Sequence, residues 1–228
     1  MNIADLWKYD LRKGSSDHPA NGACLFDAGM WLVYGRIGDN PPCSCPIIRS
    51  YAIGLNDNMD DVSRQLLRPF ILRVVGNRDP EAEPARLHHI VLETARRVVP
   101  LAIERKWPEH AAALRALPDD ATYQEIEAAA YAANAAAAAT TTWPEAIAIL
   151  DGAAAYAAAY ASSALFAYAA YATYAATSAA SAAYAAWPEA IAILDGALRI
   201  GKQSPEYDET EVRAAIKAFD LASHLTTA

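Results

Sequence analysis

The sequence predicts an all-α fold: a helical head followed by long Ala-rich helices in an antiparallel hairpin or bundle. Three observations predict it. Alanine, the best helix former, supplies 54 of the 228 residues and is concentrated in the second half. The apolar residues of the first half recur at helical rather than alternating spacing. The tripeptide Trp-Pro-Glu, which suits a helix start because Pro is tolerated in a first turn, occurs at 107, 143 and 187.

The head is assigned to residues 1–115. Turn signals at Gly14-Ser15-Ser16, Asp39-Asn40-Pro41-Pro42 and Gly76-Asn77-Arg78-Asp79-Pro80 divide it. From Ala23 to Tyr34, Leu25, Phe26, Met30 and Val33 share a helical face. From Ile47 to Leu55, so do Ile47, Ile48, Tyr51 and Leu55. Asp60 and Asp61 precede Val62, Leu66 and Leu67, which places acids at a helix N-terminus where the dipole favours them. Pro69 interrupts this helix, leaving Phe70–Val75 as its kinked second half or a short strand. Ala85–Lys106 reads as one longer helix kinked at Pro100.

Residues 116–228 form an acidic Ala/Tyr-rich extension. Residues 128–186 hold 32 Ala in 59 positions, and Thr142-Trp143-Pro144-Glu145 fits a capping box that restarts the helix after Thr140-Thr141. Asp208-Glu209-Thr210 opens a last amphipathic helix reaching Leu225. Residues 143–153 and 187–197 both read Trp-Pro-Glu-Ala-Ile-Ala-Ile-Leu-Asp-Gly-Ala. Eleven residues make three turns at 3.67 per turn, a period that suits straight or slightly right-handed packing. On a wheel of 100° per residue, Tyr156, Tyr160, Tyr171 and Tyr174 fall within about 60° of arc, with Tyr168 about 60° beyond. A Tyr stripe on an Ala cylinder has little area to bury alone, so it points to a neighbouring helix or a second chain.

Charge narrows the function classes. The net charge of −8 lies wholly between Arg115 and Arg199, where eight acids meet no base. With no basic cluster elsewhere, nucleic acid is not an expected partner. The uncharged stretch from Gly152 to Pro188 is mostly Ala, and its six Tyr are spread along it rather than set at two interfaces, so no membrane span is expected. The N-terminus lacks a basic region followed by an apolar run, and three cysteines are an odd number. A reduced, cytoplasmic protein is the expectation.

Chemistry, if present, belongs to the head. Pro41-Pro42-Cys43-Ser44-Cys45-Pro46 is a rigid loop. Its two thiols, with Cys24 as a third and His18 as a fourth group, could hold a soft metal such as zinc. The spacing is not that of a zinc finger, and a zinc deaminase would need a His-x-Glu that is missing, so no cofactor is predicted. His89 and Glu93 share a helix face beside His88 and form a candidate acid–base pair. Asn56-Asp57-Asn58-Met59-Asp60-Asp61 resembles a cation loop in composition but lacks the Gly and closing Glu of an EF-hand, so turn and capping roles are preferred.

The stretch from His18 to Pro80 also carries a resemblance, in Cys24-Leu25-Phe26-Asp27-Ala28, Gly38-Asp39-Asn40 through Ile47-Ile48, Leu55-Asn56-Asp57 and Gly76-Asn77-Arg78. It resembles a family of uncharacterised bacterial and phage proteins. In these a short Cys- and Pro-containing helical head precedes an Ala-rich helical tail that closes on a Trp…Leu-Asp-x-Ala-Leu-x-Ile-Gly segment, here Trp187 to Gly201. The resemblance implies that architecture and no activity. The copy at 143–153 departs from the single closing segment it implies.

The function expected from these features is a non-enzymatic, helix-mediated interaction or self-assembly through the Ala/Tyr helices, with a protein partner or a second copy. The alternative is a small metal- or thiol-dependent enzyme using the Cys43/Cys45 loop. A minor alternative is ice or surface binding by the Ala-rich helices, weakened because Thr does not recur every eleven residues.

Overall fold

The computed structural model describes residues 10–15, 21–138 and 186–202. These are mainly helical. Among them there is no strand, only an isolated parallel bridge between Leu11 and Ala23, and no helix is long and apolar enough to cross a membrane.

Helix α1 spans Leu25–Tyr34. Cys24 is its N-cap, with the sulfur accepting the Asp27 N–H at 3.3 Å, and Gly35 ends it in the left-handed region at φ 66°. Helix α2 spans Pro46–Asn58 with Pro46 at its first position. The Cys45 side chain makes no cap bond. Instead the Cys45 N–H donates to Asn77 Oδ1 at 2.8 Å. The helical face read from the sequence, Ile47, Ile48, Tyr51 and Leu55, is fully buried.

Helix α3, Asp61–Arg64, starts as the charge pattern predicts: Asp60 Oδ1 accepts the N–H of Val62 at 3.0 Å and of Ser63 at 2.9 Å. It tightens into a 3₁₀ segment, Gln65–Phe70, that carries Pro69. The residues that follow form turns, so neither the second helix half nor the strand predicted for Phe70–Val75 is present. Gln65 secures the N-terminal strip by accepting the Leu11 N–H at 3.0 Å and donating to the Leu11 carbonyl at 2.9 Å.

The single helix expected over Ala85–Lys106 is three pieces: α4 (Glu83–Glu93), a π turn (Thr94–Val98) and α5 (Val99–Ile103). Pro100 has no N–H to donate and its ring crowds the preceding turn. The backbone widens there, so that the Val99 N–H reaches the Thr94 carbonyl five residues back. The distortion therefore lies in the turn before the proline. Helix α6, Pro108–Arg115, begins at its Trp-Pro-Glu as expected. Helix α7, Tyr123–Ala138, opens on a capping box not singled out from the sequence. Its Thr122 N–H donates to Glu125 Oε2 at 2.7 Å, and Thr122 Oγ1 accepts the Glu125 N–H at 3.3 Å.

Helix α8, Trp187–Arg199, begins at the second copy of the repeat. It packs on α4, α2 and the π turn. One apolar cluster joins it to the head through Tyr51, Leu87, Ile90, Trp187, Ile193 and Leu194. The Ala-rich hairpin, the first repeat copy and the helix predicted after Asp208 fall outside the described residues.

Candidate functional site

Helix α8 sits in a seat formed by α4, α2 and the π turn. The helix buries Trp187, Ala190, Ile193, Leu194, Ala197 and Leu198, an apolar stripe at i, i+3, i+6, i+7, i+10 and i+11. Each large side chain so buried stabilises the contact by about 2 kcal/mol. Polar contacts fix register. The Tyr51 hydroxyl donates to the Ala190 carbonyl at 3.2 Å. Arg97 Nε donates to Glu189 Oε2 at 2.8 Å, and Arg73 pairs with Asp195 at 2.5 Å. The guanidinium of Arg73 also lies 5.3 Å from the centre of the Phe70 ring. Gly196 permits close approach, since a Cβ there would lie 2.3 Å from His89 Nε2.

The far end of α8 is held by Arg86, which is fully buried. Its guanidinium donates to the carbonyls of Asn77 at 2.7 Å, Ile200 at 2.8 Å and Lys202 at 2.7 Å. Gly201, at φ 68°, makes the turn that aims two of these carbonyls at it. The Lys202 N–H donates to Asp79 at 2.8 Å and is the main cause that holds this carboxyl below its usual range.

The residues expected to carry chemistry have other partners. Cys24 caps α1, and Cys45 is fully buried at the start of α2. Cys43 is half-buried, its sulfur accepting the Tyr34 hydroxyl at 3.3 Å and its carbonyl accepting the Arg78 N–H at 2.9 Å. All three are free thiols. Among the described residues no three His, Cys, Asp or Glu side chains are grouped so as to hold a metal. His18, and the stripe of Tyr156, Tyr160, Tyr168, Tyr171 and Tyr174, lie outside the described residues. Glu93 faces Arg96 at 3.3 Å and Arg97 at 3.5 Å, while His88 bonds the Ala121 carbonyl at 2.8 Å and meets the Tyr123 ring edge-on. His89 packs instead against α8. In the acidic loop, Asn56 Oδ1 accepts the Leu25 N–H at 3.2 Å and its amide donates to the Arg12 carbonyl at 2.9 Å, which are turn-holding bonds.

Three titrating groups, the buried Cys24 and Tyr51 and the half-buried His89, set a pH window. Burial is the main cause that pushes the Cys24 thiol from 9.0 up to about 12, with the Asp27 N–H opposing it. The unfolded thiol loses its proton first, so this stability is intact below pH 9.0 and is lost as pH rises toward 12. Burial moves the Tyr51 hydroxyl in the same direction. Burial is also the main cause that lowers His89 below 6.5, against the raising effects of Glu93 and the Ile193 carbonyl. The unfolded imidazole then takes up its proton more readily, and stability falls as pH drops through 6.5. Thermal unfolding measured against pH is expected to show a plateau between these limits. Cys24→Ser, which keeps a capping atom, should make the alkaline fall shallower. An alkaline limb identical in the variant would contradict this role for Cys24.

A scan against protein-family models, a search of curated proteins and a search of solved structures each returned no match. The roles above therefore rest on geometry. Of the seat residues, Tyr51 stands out in the sequence only as part of a helical face and Gly196 only as part of the repeat, while Arg73, Arg86 and Arg97 carry no sequence signal of their own. The signal available was charge: Glu189 and Asp195 lie in a stretch, 116–198, that has no base, and Asp195 meets Arg199 of its own helix at 2.9 Å as well as Arg73 of the head.

Proposed function

We propose that this protein works by helix docking rather than catalysis, as an interaction or self-assembly protein whose Ala/Tyr segment meets a protein partner or a second copy. The observation that carries the reading is that the eleven residues seating α8 are written twice in the chain. Selection for a spare docking segment accounts for an identity that helix propensity alone does not require. The uncharged Ala/Tyr stretch between the copies, with Tyr156, Tyr160, Tyr168, Tyr171 and Tyr174 on it, offers a second apolar face. A reduced cytoplasmic setting belongs to the same reading and agrees with three free thiols. The thiol-enzyme alternative draws no support from a cap, a buried sulfur and a sulfur bonded to a tyrosine.

Light scattering over a concentration series tests the proposal. The full chain is expected to exceed the monomer mass as concentration rises. Deleting residues 142–185 leaves one copy joined in frame to Thr141 and keeps Ala186 before Trp187. That chain should return to the monomer mass while keeping the thermal midpoint of the head. A full chain that stays monomeric throughout would end the self-assembly reading.

A further inference from the structure

We propose that the seat of α8 recognises the repeat sequence as such, so that residues 143–153 of the same chain are a second, weaker ligand for it and take it when the first is lost. Most of the apolar and side-chain contacts of the seat fall inside the eleven shared residues, while the Arg86 clamp and Leu198 lie beyond them. Trp187, the Ala190 carbonyl, Ile193 and Gly196 have identical counterparts in Trp143, Ala146, Ile149 and Gly152. The acids Glu189 and Asp195, which meet Arg97 and Arg73, recur as Glu145 and Asp151. A helix of the first copy would thus present the same stripe and charges in the same register.

The flanks explain why the second copy holds the seat. Buried Leu198 corresponds to Ala154, which loses apolar contact, and buried Ala186 corresponds to the hydroxyl-bearing Thr142. Gly201 at φ 68° corresponds to Ala157, for which the turn feeding two carbonyls to Arg86 is strained. The first copy therefore matches the seat but lacks its clamp. Same-chain occupancy follows from tethering. The first copy follows directly on α7 through residues 139–142, and the 33 residues from 154 to 186, which span up to roughly 110 Å when extended, let the displaced second copy leave the seat. A tethered competitor acts at an effective concentration of about millimolar, above that of free chains in ordinary solution.

The test uses the full chain with Ile149→Asp, Ile193→Asp and both together, followed by thermal unfolding. Ile149→Asp is expected to be silent alone and to lower the midpoint by roughly 5 °C or more in the Ile193→Asp background. Equal shifts in both backgrounds, including none in either, would overturn the proposal. If Ile193→Asp loses too much structure to melt cooperatively, cross-linking still decides. In a Cys43→Ser chain carrying His89→Cys and Gly152→Cys, a short bis-maleimide should give an intrachain product at least about tenfold more abundant with Ile193→Asp than without it. No such increase, or a product only between chains, would overturn the proposal. The inference stands on the seat and the repeat alone, so a strictly monomeric protein would end the assembly reading and leave this one intact.

Discussion

Replacing Arg86 with Met is expected to cost about 3 kcal/mol in urea unfolding, one of the largest single-residue losses in the head. Arg86 is fully buried in α4 with no carboxylate bonded to it among the described residues, and its guanidinium donates to three main-chain carbonyls. Two of them, Ile200 and Lys202, lie just past the C-terminus of α8, where the helix dipole places partial negative charge. Methionine fills much of the volume but donates nothing. The buried Asn77 keeps an unpaired carbonyl, and the Ile200 and Lys202 carbonyls past the end of α8 lose their shared donor. Arg86→Lys should recover part of the loss, because three donors on one nitrogen do not span the fork of a guanidinium. Amide exchange at Leu198–Gly201 should rise more than at Ala190–Leu194. A cost below about 1 kcal/mol, with unchanged exchange at the helix end, would show that Arg86 does not hold α8.

Arg86 also marks where reading the sequence stops. Local devices were legible. Asp60 at a helix start, Pro108 and Pro188 in first turns, and the stripe from Ile47 to Leu55 depend on neighbours within a few residues, and they stand where spacing puts them. The π turn was not legible, because a proline tells that a ladder must break but not how the backbone absorbs the break. The repeat was obvious in the sequence, but its seat was not. Tyr51 and Ala190 are 139 residues apart, and Arg73 and Asp195 are 122. No periodicity reports a contact at that distance. The structural roles of two cysteines were not legible either. Rarity and flanking prolines are equally compatible with ligation and with packing, and Cys24 serves as a cap and Cys45 as core. A polarisable sulfur fits both uses as readily as it fits ligation.

Gly29 carries the second large prediction, and here the sign is at issue. A glycine inside a helix ordinarily gains about 1 kcal/mol on replacement by alanine, through intrinsic propensity. Gly29 lies within α1, on a buried turn. A Cβ there would sit 2.6 Å from the Ile71 carbonyl oxygen and 2.7 Å from Val75 Cγ2. The oxygen belongs to the backbone and cannot rotate away, so α1 would have to lift from the turns that follow the 3₁₀ segment. Overpacking of this kind costs about 3 kcal/mol, which outweighs the propensity gain and leaves a net loss of roughly 2 kcal/mol for Gly29→Ala. Two other glycines supply the comparison. Gly38→Ala meets nothing within 4 Å and should be neutral within about 0.5 kcal/mol. Gly35→Ala has the same open surroundings but places alanine at φ 66°, so it should cost about 1 kcal/mol through backbone strain alone. Urea midpoints read at a constant m-value would rank Gly29→Ala lowest, then Gly35→Ala, then Gly38→Ala. If Gly29→Ala instead stabilised the protein, propensity would be governing α1, and its close approach to Ile71 would not be a determinant of the fold.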